Sequence, residues 1–242
     1  MADIASFQND RNATVVRVLG GLVAFPKGYD VFDAGREQTG QFVSFMNGPG
    51  SQIRDEAIHE YALEHFGDRL FGSGRKMHNE ALHHHRQFRE RDARMREPLA
   101  SVDRSHDAER RARFRDMEPG ELMTAIQNAD LSDLTALVAD GNLAAMPEQA
   151  FAQAQSRYLV LNTVERFGLQ AQFAAKASLA DPLPSGPDTG AAQQQAADVL
   201  QSHRAEAEMV SIHARGLQDY AAFLGHVFAI EPADAFDRMK AT

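Results

Sequence analysis

The sequence predicts an all-α protein, an irregular multi-helix bundle with a loop-rich N-terminal segment and two long C-terminal helices. Three observations carry this expectation. Beyond residue 75, apolar residues recur every three or four positions, the period of one helix face. Ten of the 17 glycines fall in residues 1–74 and cut its elements short, because an interior glycine costs about 1 kcal/mol relative to alanine. Two long helical stretches, 148–179 and 196–230, close the chain around a Pro/Gly/Gln-rich linker at 181–195.

Taken in order, Thr14 to Phe25 reads in two ways. It is either a helix with Val15, Val18, Leu19, Leu22 and Phe25 on one side and Pro26 as its stop, or a small hairpin turning at Gly20-Gly21. The helix is preferred, because no other segment offers a strand for a hairpin to join. A helix capped by Ser51 then runs to Phe66, with Gly67 after its last turn. Gly72-Ser73-Gly74 leads into a second helix, Arg75 to about Arg96, and the two should form an antiparallel pair. Pro98 ends it.

A short charged helix, about Asp107 to Met117, precedes Pro119-Gly120. Glu121 to Asn128 and Ser132 to Ala139 are short amphipathic elements, the latter capped by Ser132 and closed by Gly141. Pro147 suits the first position of the helix that follows, whose middle, Tyr158-Leu159-Val160-Leu161, is apolar on every side and is the expected buried centre. The organisation is therefore 1–74 Gly-rich with a helix at about 51–66, 75–118 Arg/His-rich, 119–180 helical core, 181–195 linker and 196–242 long helix with tail, in one or two domains.

Charge is distributed unevenly along this frame. Residues 75–115 hold 12 Arg or Lys, 11 of them Arg, against 7 Asp or Glu, a local balance of +5 in a chain of net charge -9. Such a split concerns contacts rather than fold, since opposite charges steer association. On a helical wheel, Met77, Ala81, His84, Phe88, Met95 and Leu99 form a narrow apolar seam. A quarter turn away lie His78, His85, Arg89 and Arg96, with Arg86 just beyond. The strip from His78 to Arg96 is roughly 27 Å long at about 1.5 Å per residue. It is the expected docking site for an acidic protein surface, which includes a second copy of this chain as a homo-oligomer mate. Its histidines would strengthen it as pH falls. The competing expectation is self-pairing, since Arg86 with Glu90, Glu90 with Arg94, and Asp92 with Arg96 are spaced i,i+4.

The alternative reading is a His/carboxylate metal site of ferritin-like type holding Fe, Mn or Zn. Glu56 with His59 and Glu80 with His83 are Glu-x-x-His pairs, the ligand pattern of di-metal bundles. In the last long helix, Val199, His203, Glu206, Val210, His213, Leu217 and Tyr220 share one stripe, so His203, Glu206 and His213 should be at least half buried. His203 and Glu206 form half a coordination shell, which Glu56 and His59 would complete. The plain role of such a pair is a buried hydrogen bond that fixes helix register.

Other chemistries lack their residues. The absence of Cys excludes disulfides, thiolate zinc sites and a cysteine nucleophile. There is no GxSxG elbow, GxxxxGK[ST] loop or GxGxxG turn, and His59 and His65 stand six apart where a zinc protease needs four. A pI of about 5.5, with only Phe88 and Phe114 among the arginines, makes nucleic acid the third and least favoured partner. No run is long enough to insert in a membrane and no secretory leader is present, so a cytoplasmic, non-enzymatic binding or scaffold protein with no cofactor is the expectation.

Overall fold

A computed structural model describes residues 6–10, 12–139, 146–179 and 182–240. The protein is 71% helical, with eight α-helices and one three-stranded sheet among the described residues. It forms two compact units, Met1–Phe88 with Ala207–Thr242, and Arg89–Glu206.

In the first unit, strands β1 (Ser6–Asn9), β2 (Ala13–Val18) and β3 (Gly21–Pro26) pair antiparallel in chain order. The preferred helix at Thr14–Phe25 is thus corrected to a hairpin, with β1 as the strand it joins. Burial alternates along it: Thr14, Val16, Val18, Val23 and Phe25 face the core, while Arg17 and Leu22 do not. The turn lies one residue earlier than expected, at Leu19-Gly20, both at positive φ (50° and 79°), as a two-residue type I′ turn demands.

Helix α1 (Asp33–Met46) buries Thr39, Phe42, Val43 and Met46. Helix α2 (Ile58–Arg96) is a single helix of 39 residues, which corrects the expected antiparallel pair. Ser51 caps no helix; its Oγ donates to the Gly48 carbonyl within a short 3-10 turn, Pro49–Gln52. Gly67, Gly72 and Gly74 lie inside α2, and Gly74 is there for packing: a Cβ on it would sit 2.7 Å from Met239 Cγ and 3.1 Å from the Tyr220 ring. Ser73 Oγ lies 2.8 Å from the Tyr220 hydroxyl, and both reach the Leu70 carbonyl, at 2.8 and 3.1 Å.

Helix α7 (Thr189–Phe228) is 40 residues long and starts inside the expected linker, because Asp188 caps it by accepting from the Ala191 amide at 2.9 Å. Its 207–228 portion belongs to the first unit and runs antiparallel to α2, as His84 with His213, Ser73 with Tyr220 and His59 with Val227 successively meet. Ala229, at φ 52°, ends it, and the Ile230 amide bonds back to the Gly225 carbonyl. Helix α8 (Pro232–Lys240) then docks Met239 against Gly74. The core of this unit is aromatic: Phe25, Phe32, Phe42, Tyr220 and Phe223 are each at most 1% exposed.

The second unit contains helices α3 (Asp107–Arg115), α4 (Pro119–Asn128), α5 (Leu131–Val138) and α6 (Glu148–Arg166) with the adjoining parts of α2 and α7. Asp130, rather than Ser132, caps α5, accepting from the Asp133 amide at 2.8 Å. The expected Gly141 stop, residue 180 and the first residue of the linker, 181, lie outside the described residues. Helix α6 is shorter than the expected 148–179, because Gly168 takes φ 59° and its amide closes onto the Glu165 carbonyl. Tyr158 is buried as expected, while Leu159, Val160 and Leu161 are only partly so. This helix contributes to two apolar clusters of its unit, joining Leu122, Ile126, Leu134 and Leu137 through Tyr158 and joining Leu169, Ala192 and Ala196 through Val164. The largest core is instead that of the first unit.

Candidate functional site: a groove beside the histidines of α2

The histidine-arginine strip is divided between the units, His78, His85 and Arg86 in the first and Arg89 and Arg96 in the second. In the first unit the structure adds what the strip lacked in the sequence, an apolar groove of about 410 Å³. Its α2 wall is His78, Ala81, Leu82 and His85, spaced as one helix face. The α7 wall, Ala207, Val210, Ser211, Ala214 and Gln218, is likewise one face, and Phe236 of α8 borders the groove. These residues meet only because α7 and α8 return to α2 from the far end of the sequence, a proximity that no local pattern announces.

His213 forms part of the floor. It is 3% exposed, its ring lies edge-on to Tyr29 and Phe32 at 5.8 Å, and it sits 5.6 Å from the His84 ring. Its Nδ1 is buried with no hydrogen-bond partner. Burial, and secondarily His84, hold its pKa below the ordinary 6.5, so the floor is uncharged at neutral pH. His78 is depressed too, by burial and then by Lys240. Its ring meets Phe236 edge-on at 5.6 Å, and Lys240 Nζ lies 5.0 Å from the centre of that same ring, while also pairing with Asp237 at 2.6 Å. His85 and Arg86 are exposed, and Arg86 has no ion-pair or hydrogen-bond partner among the described residues.

The other arginines of the basic segment divide sharply. Arg89 is exposed and unpaired among the described residues. Arg96 Nε donates to both Asp92 carboxylate oxygens at 2.9 Å, and Arg94 lies 3.9 Å from Glu90. The expected Arg86–Glu90 pair does not form. Three α6 side chains, Tyr158, Asn162 and Arg166, donate to the carbonyls of Arg96, Met95 and Glu97 and so satisfy the end of α2. Farther on, Arg104 meets Asp107 at 3.0 Å, and Arg113 and Arg110 both engage Asp133 of α5, which ties α3 to α5.

The alternative metal residues also separate. His203 and Glu206 lie in the second unit, Glu56 and His59 in the first. His203 Nε2 meets Asp92 Oδ1 at 3.0 Å while its Nδ1 faces Glu206 at 3.9 Å, and Arg91 donates to Glu206 at 3.0 Å. The two carboxylates thus approach different ring nitrogens. Burial works against the Asp92 carboxylate, but hydrogen bonds from His203 and Arg96 outweigh it and hold its pKa below the ordinary carboxylate value. His59 Nδ1 lies 2.9 Å from the Val227 carbonyl, and Glu56 is exposed ahead of α2. Glu80 and His83 sit on the same helix as His59, so the two Glu-x-x-His pairs do not occupy facing helices. Among the described residues no three His, Asp or Glu side chains converge as a cation cage.

No family model matches this chain, and neither a curated protein nor a solved structure matches it. Among the described residues, no helix is long and apolar enough to cross a membrane.

Proposed function

We propose that this protein is a non-enzymatic binding component that docks an acidic partner protein at the part of the α2 strip in its first unit, with His85 and Arg86 meeting partner carboxylates. The observation that carries this reading is the contrast within the basic segment. Arg96, Arg104, Arg110 and Arg113 are engaged within the chain, whereas Arg86, like Arg89 of the second unit, is exposed and unpaired among the described residues, and it directly follows His85 of the groove wall. A cation that holds nothing in its own fold is free for a partner, and Arg is well suited to carboxylates because its planar fork binds them bidentately.

Poly-L-glutamate tests the charge requirement. The expected result is binding that weakens as salt rises, because exposed charges are screened over about 8 Å at physiological ionic strength. Arg86→Glu combined with His85→Glu should weaken it by about tenfold or more, equivalent to about 1.4 kcal/mol, with helicity unchanged. Undiminished binding by the double variant would remove the strip from the account.

A second reading, a metal ion at His203 and Glu206, has one observation in its favour: Glu206 Oε2 is buried with no hydrogen-bond partner. Stoichiometric Fe, Mn or Zn in the purified protein, lost in Glu206→Ala, would establish it. Metal content unaffected by that substitution would end it.

A further inference from the structure

The geometry points to a specific class of partner, an acidic amphipathic helix of about three turns that lies in the groove between α2 and α7, with its apolar side on the groove and its carboxylates on the rim. This rests on the docking reading above and adds the shape and the apolar half of the partner.

Three features of the groove select that occupant. Its length is the first. The α7 wall extends from Ala207 to Gln218, which at about 1.5 Å per residue is roughly 16 Å, or three helical turns. The second is its texture. Ala81, Ala207, Ser211 and Ala214 are small, so the walls admit a third helix at the 8–10 Å or so that packed helices keep between axes. Both walls repeat at helical spacing, and a helix with apolar residues at i, i+3, i+4 and i+7 complements that repeat.

The third feature is where charge is and is not available. Lys240, which pairs with Asp237, lies beside Phe236, and the exposed Arg86 follows His85 of the α2 wall, so the cations near the groove stand at its rim and not in its lining. At the floor, a carboxylate would meet no charged side chain, only mostly apolar walls and an imidazole that is buried and uncharged near neutrality. Burying a carboxylate there would cost its hydration without a compensating charge. An acidic helix avoids that cost, because it divides its apolar and anionic groups between floor and rim, whereas a compact acid that filled the groove would not.

Three capped peptides of about 14 residues each, a length of roughly 21 Å when helical, provide the test. One alternates Leu at helical spacing with Glu, one replaces its Leu by Ala, and one replaces its Glu by Lys. The first is expected to bind the full-length protein at least tenfold tighter than either of the others. Ala214→Trp, which fills the groove from an exposed position, should abolish that preference, and Ser211→Trp should do the same if the first variant folds poorly. If the Ala/Glu peptide binds as tightly as the Leu/Glu peptide, the groove inference is overturned while the acidic docking reading stands. If the Leu/Lys peptide binds as tightly, the charge requirement fails and the docking reading falls with it. Saturable binding of decanoate, blocked by Ala214→Trp and unaccompanied by any peptide binding, would overturn the helix in favour of a small amphiphile.

Discussion

In the second unit, Arg110 and Arg113 reach Asp133 and Arg96 clasps Asp92, whereas in the first, Arg86 reaches no acidic side chain and His78 and His85 border an apolar groove. Both sets come from one short basic stretch. What separates Arg110 and Arg113 from Arg86 is the neighbour: α5 brings Asp133 to the first two, while Arg86, like Arg89 of the second unit, meets no carboxylate among the described residues. The interiors differ in the same sense. The first unit is closed by Phe and Tyr rings, and the second by Leu, Ile and Ala reinforced by ion pairs. A count of basic residues reports supply, and only the neighbours report what has been used.

The largest expected effect tests the interiors. Phe223→Ala should cost about 3–5 kcal/mol, as deletion of a core ring usually does. Leu134→Ala in the second unit falls in the range of about 2–5 kcal/mol. Hydrogen exchange resolved along the sequence, read in both variants, would show whether each loss is confined to its own unit's amides.

Asp133→Ala comes next, at about 1–3 kcal/mol, because it leaves Arg110 and Arg113 without their shared carboxylate. A change of less than a few tenths of a kcal/mol in the unfolding free energy from urea titration would mean that these arginines are as idle as Arg86, and the contrast between them would vanish.

The histidines set a pH signature for the first unit. His213 and His78 are depressed below 6.5 in the folded chain, so just below that pH the unfolded chain binds more protons. Their contribution is complete above pH 6.5 and declines as pH falls through it, with a slope of at most about 1.4 kcal/mol per pH unit for each histidine. Urea midpoints at pH 7.5 and 5.5 should therefore converge in His213→Gln. A variant that keeps the full difference would assign the decline to other groups.

Two smaller effects sharpen the reading of α2. Gly72 lies in mid-helix with nothing within 4 Å of where an added methyl would point, so Gly72→Ala should stabilise by about 0.5–1 kcal/mol, measurable as a raised Tm. Arg86→Glu should change stability by no more than about 0.5 kcal/mol while removing acidic-peptide binding. A large stability loss in that variant would place Arg86 with the paired arginines.

Much of the helical frame is legible in the residues. Helices α3, α4 and α5 lie within two residues of their expected bounds, although Asp130 and not Ser132 caps α5. The hairpin is obscured because Leu19, a residue that rarely takes positive φ, occupies its turn, and because Ser6–Asn9 carries little strand signal of its own. The continuity of α2 is obscured for a different reason. Gly72 and Gly74 read as a break by propensity, yet Gly74 is needed so that Met239 and Tyr220 can approach the helix, and that requirement is set by residues far along the chain. The site divides in the same way. His78 and His85 stand out on a wheel of α2 alone, whereas the groove needs α7 and α8 beside it.

The interruption of the first unit by the second has a consequence for synthesis. Residues 89–206 are all synthesised before Tyr220 and Phe223, so the second unit's residues are complete while the first still lacks part of its interior. At roughly 5–20 residues per second, the nascent Phe25, Phe32 and Met77 wait on the order of ten seconds for their partners. Protection of those apolar side chains during that interval, by a chaperone or by provisional burial among themselves, is a demand that the order of this chain imposes on the cell that makes it.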